Sequence, residues 1–300
     1  MLYRLRQSLA RRRFAAKTAA VLQTPPMLVR PGPATFVSMV ANHDVQMYLL
    51  SMKSLYARVR QGRLLVIVDR DMPAAARATF SAHFPGIEFQ TLEDIDVGPC
   101  QRGGTWERLI HLLDLSRDRY VVQVDCDTLA YGADVREVLD CIAGNRAFTL
   151  SGGVGSEIVT LSDAAHRAQA EPCAYVGIAA EALLDRLPDA EALRYVRGSS
   201  GFAGFAKGGF SRERIERFHQ DMAGLLPGRW AEWGTEQCAS NFAVANTPGA
   251  CVLPAPKYWN FDRKQDVGAS SFLHFIGSYR FDDDRFAQLG QRVIGELGAA

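Results

Sequence analysis

The sequence predicts an α/β fold built on an open, mainly parallel sheet that is flanked by helices. Strand-like and helix-like segments alternate between residues 35 and 150, which is typical of parallel α/β proteins. Residues 64–68, LLVIV, are apolar at every position, as expected for a strand covered on both faces. Between residues 45 and 59, apolar side chains recur with the 3.6-residue period of an amphipathic helix.

The elements follow from local signals taken in order. Pro73 suits the first turn of a helix, and Ser211 suits an N-cap. Strands are expected at residues 35–41, 64–68, 87–92, 121–124, 147–150, 197–205 and 271–277. Helices are expected at residues 45–59, 73–83, 105–115, 133–143, near 178–186 and 189–196, at 211–226 and 235–245, and near 282–297.

Composition limits the class of protein. A chain of 300 residues, 48% of them hydrophobic, can bury a large core, and we expect one domain over residues 34–300. The net charge of +1 does not indicate nucleic-acid binding. The six cysteines form no C-x-x-C pair, which excludes a zinc or disulfide framework and fits a reducing cytoplasm. No apolar run approaches a membrane span.

Residues 1–33 are basic. The first 43 residues hold seven Lys/Arg and no acid, so that the rest of the chain has a net charge of −6. The segment could be an amphipathic helix on an anionic membrane surface, which would place the protein peripherally at the inner face of the membrane. A solvated tail and an Arg-rich transit peptide are the alternatives.

Two acids follow the apolar strand at residues 121–124. Asp125 and Asp127 are two residues apart, so on an extended segment their side chains point to the same side. Two carboxylates held in this way repel each other unless a cation lies between them. Oxygen ligands suit Mg²⁺ or Mn²⁺, and such an ion would hold a diphosphate.

Other polar residues also follow expected strands. Asn42, with Asp44 close behind, comes after the first strand, and Asp69 comes after the second. Ligands of open α/β sheets bind outside the carboxyl ends of the strands. We therefore expect these residues to lie at the same edge of the sheet as Asp125 and Asp127.

A histidine and an arginine near the C-terminus extend this hypothesis. His274 lies in an apolar run, where it is either a satisfied core histidine or a third ligand beside the two acids. Arg280 follows a glycine turn, and its guanidinium suits diphosphate oxygens.

A rival interpretation takes Asp125 as a nucleophile. The D-x-D-x-[TV]-L pattern also resembles haloacid dehalogenase-type phosphatases, in which Asp127 would be the acid/base beside Thr128. That motif normally opens its domain, whereas about 90 residues of α/β pattern precede it here. The later acids at 282–284 follow no buried strand and suit a helix N-terminus.

Four motifs together resemble the GT-A-fold glycosyltransferases, in particular the retaining branch with glycogenin and the bacterial lipopolysaccharide galactosyl- and glucosyltransferases. Their order and spacing agree over roughly residues 35–280. The motifs are WERL at 106–109, VDCDTL at 124–129, EQ at 236–237 and HFIGSYR at 274–280.

The resemblance implies a role for each matched residue. Asp125, Asp127 and His274 would hold Mn²⁺ or Mg²⁺ against the donor diphosphate. Arg280 would contact the phosphates, and Arg108 would contact the donor sugar or phosphate. The remaining donor-side and catalytic positions are Asn42 and Asp44 by the base and ribose, Asp69 and Gly277 on the donor side, Ser200 and Gly201 in the sugar pocket, and Gln237 with Glu236 by the anomeric carbon.

The resemblance implies metal-dependent transfer of a sugar with retention. The expected donor is a nucleotide-sugar, a UDP-sugar, and the expected acceptor is a hydroxyl of a glycan, lipid-linked saccharide or protein. Residues 34–150 would bind the donor, and residues 151–300 would supply the acceptor side and catalysis. The chain departs from the family pattern at two of these positions: Glu236 replaces the usual Asp of its motif, and Arg280 replaces the commoner Lys. An inactive relative that only binds nucleotide-sugar is the further alternative.

Overall fold

A seven-stranded sheet lies at the centre of the structure, a computed structural model that describes residues 2–153, 156–171, 173–264 and 266–299, excluding the side chains of 2–6, 278, 279 and 282. The helices in this part of the chain are α1 Leu2–Thr18, α2 Val45–Val59, α3 Ala74–His83, α4 Trp106–Ser116, α5 Arg136–Ala143, α6 Leu161–Ala170, α7 Val176–Glu181, α8 Arg212–Leu225, α9 Thr235–Ala245 and α10 Arg285–Ala299. The strands are β1 Ala34–Met39, β2 Arg63–Val68, β3 Glu88–Thr91, β4 Tyr120–Val124, β5 Thr128–Ala130, β6 Phe148–Ser151, β7 Ile158–Thr160, β8 Arg194–Val196, β9 Gly198–Phe205, β10 Cys251–Val252, β11 Tyr258–Asn260 and β12 Phe272–His274.

The central sheet confirms the expected α/β class. Its strand order is β10-β6-β9-β4-β1-β2-β3, and all pairs are parallel except those that β9 makes with β4 and β6. Every residue of β4 and β9 is buried, because helices cover both faces. The chain leaves β1 towards β2 on one side, while β4 lies on the other. The resulting switch point between β1 and β4 is where open sheets of this kind bind ligands.

Smaller sheets bring the C-terminal part of the chain to that edge. Strand β5, directly after the two acids, pairs antiparallel with β12, and β12 pairs parallel with β11. The register sets His274 opposite Thr128 and beside Asn260. The histidine is thereby carried to the turn that holds Asp125 and Asp127.

The predicted helix near 189–196 is wrong. Asp189 has a φ of 57°, a left-handed conformation that ends helical continuation, and only Ala190–Ala192 form a short 3-10 turn. Residues 194–196 are instead β8, which pairs antiparallel with β7. Tyr195 and Val196 are buried, so packing outweighs the helix propensity of the segment.

Two predicted helices begin about three residues later than expected. The helix expected at 133–143 begins at Arg136, since Val135 has a non-helical ψ of 44° and Asp134 accepts a hydrogen bond from the Arg136 amide. The final helix starts at Arg285, because residues 277–284 form a 3-10 segment before it.

The basic N-terminal segment begins with α1. Its Phe14, only 6% exposed, packs on Phe286 of α10, and Gln46 Nε2 of α2 donates to the Ala15 carbonyl at 2.7 Å. Beyond α1, the buried Lys53 donates to Thr24 Oγ1 at 2.8 Å and to the Pro25 carbonyl at 2.6 Å. Burial lowers the pKa of Lys53 to about 8. Within the described residues, no helix combines the length and apolar character that crossing a bilayer requires.

Candidate active site

The two acids lie on a turn that four elements hold in place. Asp125 N donates to the Gly201 carbonyl on β9 at 2.8 Å, and Phe275 N donates to the Asp127 carbonyl at 2.8 Å. Thr128 closes the turn through its hydroxyl, which donates to the Asp125 carbonyl at 2.9 Å and lies 2.7 Å from Ser51 Oγ on α2. The carboxylates are therefore presented by a turn with little freedom to move.

Asp125, Asp127 and His274 form a cluster with the geometry of a metal site. One ligand atom from each lies within 4.8 Å of the other two. Asp127 Oδ1 is 3.3 Å from His274 Nε2. Two carboxylate oxygens and one imidazole nitrogen suit Mn²⁺ or Mg²⁺.

The imidazole of His274 is oriented by neighbours on its other nitrogen. Its Nδ1 lies 2.9 Å from Asn260 Oδ1 and 3.1 Å from Ser199 Oγ. Donation from Nδ1–H to Asn260 leaves Nε2 free as a ligand, a common arrangement around metal-binding histidines. Gly201 packs against this ring so closely that a Cβ there would lie 2.2 Å from His274 Cε1. The glycine is thus required for the position of the histidine.

Arg280 lies beside the cluster and pairs with one of its acids. Its Nη2 is 2.5 Å from Asp127 Oδ2, and within the described residues its buried Nε has no hydrogen-bond partner. Burial raises the pKa of Asp127, but His274 and Arg280 lower it more, so that it falls to about 2. Gly277, with a φ of 50°, starts the 3-10 segment that carries Arg280. A donor group without a partner fits an incoming anion.

Arg108 joins the first acid to a second buried acid. Its guanidinium pairs with Asp125, and its Nη2 lies 3.4 Å from Glu236 Oε2 on α9. Glu236 also accepts from Thr105 Oγ1 at 3.0 Å and from Ser200 Oγ at 3.2 Å. Burial raises the pKa of Glu236, and Arg108 opposes that rise. Through Arg108, this network fixes the position of the Asp125 carboxylate.

These side chains line a single cavity of about 470 Å³. Ten of the site residues expected from the sequence line it: Arg108, Asp125, Asp127, Ser200, Gly201, Glu236, Gln237, His274, Gly277 and Arg280. The described lining does not include Asn42, Asp44 or Asp69. Asn42 and Asp44 form a 3-10 turn after β1, and Asp69 follows β2, so all three lie at the expected edge of the sheet but outside this cavity.

Sequence reasoning missed several residues of this site. Asn260, Ser199 and Thr105 reach it through hydrogen bonds, while Trp233, 73% exposed, and Tyr175 line its outer wall. Thr105 has a φ of 73°, an unusual conformation for a residue with a Cβ. No sequence motif predicts these side chains, although the glycines at 103–104 do indicate an unusual backbone conformation before α4.

Comparison with known proteins reveals similarity in structure alone. No protein-family model and no curated protein sequence matches the chain. Among solved structures, the galactosyltransferase LgtC in complex with donor and acceptor sugar analogues has a TM-score of 0.52 and 13% identity, over 86% of this chain and 95% of LgtC. LgtC with its active-site glutamine replaced by glutamate has a TM-score of 0.50 and 13% identity, over 88% and 95%.

Two larger proteins are similar over most of this chain. The bifunctional glycosyltransferase WbbM has a TM-score of 0.51 and 14% identity over 91% of this chain, which spans about half of WbbM (52%). GlyE of Streptococcus pneumoniae has a TM-score of 0.51 and 10% identity, over 91% of this chain and 61% of GlyE. The chain has the GT-A fold that these glycosyltransferases share.

Proposed function

We propose that this protein is a metal-dependent glycosyltransferase that takes a sugar from a nucleotide-sugar donor, a UDP-sugar, and transfers it to a hydroxyl acceptor. The observation that carries the proposal is the convergence of Asp125, Asp127, His274 and Arg280 at one wall of a single cavity. Two acids, one imidazole and one guanidinium are the groups that a divalent ion and a diphosphate require together.

The groups that would stabilise the leaving diphosphate lie together at one wall of the cavity. Asp125, Asp127 and His274 would hold Mn²⁺ or Mg²⁺, which supplies positive charge where the diphosphate becomes negative. Arg280 would exchange its contact with Asp127 for the phosphates and donate through the Nε that lacks a partner. These contacts strengthen as negative charge develops, so they stabilise the transition state more than the bound donor.

The sugar side of the cavity is formed by α4, β9 and α9. Arg108, Ser200 and Glu236 are joined by hydrogen bonds there, and Gln237 is half-buried in the wall next to them. We place the anomeric carbon beside Gln237 and infer retention of configuration. The glutamine that is replaced in the active site of LgtC supports this choice.

The phosphatase interpretation has little support. The chain has the GT-A fold of the glycosyltransferases compared above, and Asp125 follows the fourth strand of the chain instead of opening its domain. We propose that the base and ribose of the donor extend from the cavity towards β1 and β2. There they would contact Asn42, Asp44 and Asp69.

The N-terminal helix also leaves room for peripheral contact with an anionic membrane. Leu9 is 55% exposed and Arg12 is exposed beside it. Such contact would be weak and salt-sensitive. Cosedimentation with phosphatidylserine vesicles tests it: binding should fall in Leu9→Glu/Arg12→Glu, which changes only exposed residues of α1, and equal binding would contradict it.

A thermal-shift screen of nucleotide-sugars tests the donor proposal. A ligand that binds only the folded state raises the melting temperature by mass action. We expect a UDP-sugar to do so with Mn²⁺ or Mg²⁺ and to lose the effect in EDTA. If no nucleotide-sugar shifts the melting temperature in either ion, the donor site proposed here is wrong.

A further inference from the structure

We propose that the N-terminal helix α1 is a positioning element of the donor site, with Phe14 as the residue that holds the Arg280-bearing 3-10 segment, residues 277–284, against the metal cluster. The proposal rests on the function proposed above, because it assigns Arg280 to the donor diphosphate. It goes beyond that function by giving the basic N-terminus a role inside the protein.

An unbroken path of aromatic rings joins α1 to the metal cluster. The Phe14 ring centroid lies 5.5 Å from that of Phe281 and 4.6 Å from that of Phe286. Phe286 in turn stacks on Phe275 at 4.3 Å with an interplanar angle of 13°. Phe275 follows His274 directly, and its amide donates to the Asp127 carbonyl. Phe14 therefore supports both the Arg280 segment and the backbone of two cluster residues.

Basic side chains of α1 also form ion pairs with Asp284, at the end of the same segment. Arg13 Nη2 lies 2.6 Å from Asp284 Oδ2, and Lys17 Nζ lies 2.8 Å from the same oxygen. Two residues before Arg13, Arg11 Nη2 is 3.9 Å from Oδ1 of Asp44, which follows β1. The helix thus contacts both the segment behind Arg280 and the turn after β1.

The segment needs such support because of its own backbone. Gly277, Asp283 and Asp284 have φ values of 50°, 56° and 54°. The two aspartates adopt a left-handed conformation that residues with a Cβ keep only when surrounding contacts hold them there. Asp284 receives those contacts from Arg13 and Lys17.

Packing at this junction is close. A residual void of only about 10 Å³ is left between Ala10 and Phe14 of α1 and Arg280 and Phe281 of the segment, too little for a ligand. Arg280 is therefore held between α1 and Asp127. A donor that finds the segment already in place need not spend binding free energy on ordering it.

The test compares Phe14→Ala, the conservative Phe14→Leu, and the surface variant Arg13→Glu/Lys17→Glu with and without Asp284→Lys. Two controls match them. Phe80→Ala removes a buried ring on α3, and Arg167→Glu breaks an exposed ion pair with Glu157. Hydrogen exchange of residues 277–284 is measured on the full chain without ligand, and UDP affinity with Mn²⁺ is measured by calorimetry.

We expect faster exchange at 277–284 and about tenfold weaker UDP binding in Phe14→Ala and in Arg13→Glu/Lys17→Glu. Phe14→Leu and the added Asp284→Lys should restore both, and the two controls should change neither. In turnover assays the donor KM should rise and kcat should fall as well, because a displaced Arg280 stabilises the departing diphosphate less, and Arg167→Glu should keep both constants.

Unchanged exchange at 277–284 in the charge-reversed variant overturns the inference, whether or not Phe14→Ala folds. Equal UDP affinity in all variants does so as well. If the wild-type protein binds no UDP with Mn²⁺, the proposed function fails, and the exchange data alone then decide the role of α1.

Discussion

Glu236 Oε2 lies 3.4 Å from Nη2 of Arg108, and both side chains are almost completely buried, 3% and 5% exposed. Arg108 also pairs with Asp125. One guanidinium thus neutralises both Glu236 and Asp125. The arrangement links the position of Asp125 in the Asp125–Asp127–His274 cluster to that of Glu236 on α9.

The first prediction concerns that pair. Arg108→Met leaves Glu236 and Asp125 without their cation, and it should cost about 3–5 kcal/mol of unfolding free energy, measured in urea. Adding Glu236→Gln should recover part of the loss, because a neutral amide tolerates burial better. As a control, Arg229→Met breaks an exposed pair with Glu232, which water screens, and should leave the unfolding free energy almost unchanged. Strict additivity of the two buried changes would show that the residues do not interact.

The second prediction concerns pH. The folded-state pKa of Glu236 is raised by burial above its ordinary value of 4.5. The unfolded chain therefore releases this proton at lower pH than the folded protein does, and the contribution to stability is lost as pH rises through the folded pKa. Relative to Glu236→Gln, the wild-type protein should lose unfolding free energy from about pH 4.5 upwards. A constant difference between pH 4 and 7 would rule out the raised pKa.

The third prediction uses the close approach of Gly201 to His274. A Cβ at this position would overlap the imidazole, so Gly201→Ala should displace the ring and cost about 1–3 kcal/mol in stability. Mn²⁺ affinity should fall with it. Gly224→Ala on α8 is the control, since nothing lies within 4 Å of its Cβ. Wild-type Mn²⁺ affinity in Gly201→Ala would separate the glycine from the metal site.

The fourth prediction separates chemistry from donor binding. Gln237→Ala should lower kcat by about a hundredfold and leave the donor KM within about threefold, if Gln237 acts at the anomeric carbon. Initial rates over a range of donor concentrations give both constants. A rise in KM at unchanged kcat would make Gln237 a binding residue instead.

The metal cluster could be predicted from sequence because its signals are local. Asp125 and Asp127 follow an apolar strand directly, and His274 belongs to a spaced motif. The support of His274 by Asn260 depends on the β11–β12 register, which no short pattern encodes. The same is true of Phe14, whose partners lie more than 260 residues away along the chain.

The fold was predictable where hydrophobic period and length agreed, as for α2, whose bounds are those expected. It was not predictable where tertiary contacts oppose propensity. Residues 189–196 contain good helix formers, yet Tyr195 pairs with Val159 of β7 and is buried. The basic N-terminus was open to several interpretations because its helix depends on rings and acids from the far end of the chain.

The most direct measurement is Mn²⁺-dependent release of nucleoside diphosphate from a panel of nucleotide-sugars, with and without saccharide acceptors. The wild-type protein should turn over at least one UDP-sugar, and Asp127→Asn and His274→Ala should each lose at least about a hundredfold in rate. Arg167→Glu, outside the metal site, should keep wild-type activity. If no donor binds or reacts with Mn²⁺ present, while a phosphorylated Asp125 can be trapped, the proposed transferase function is contradicted.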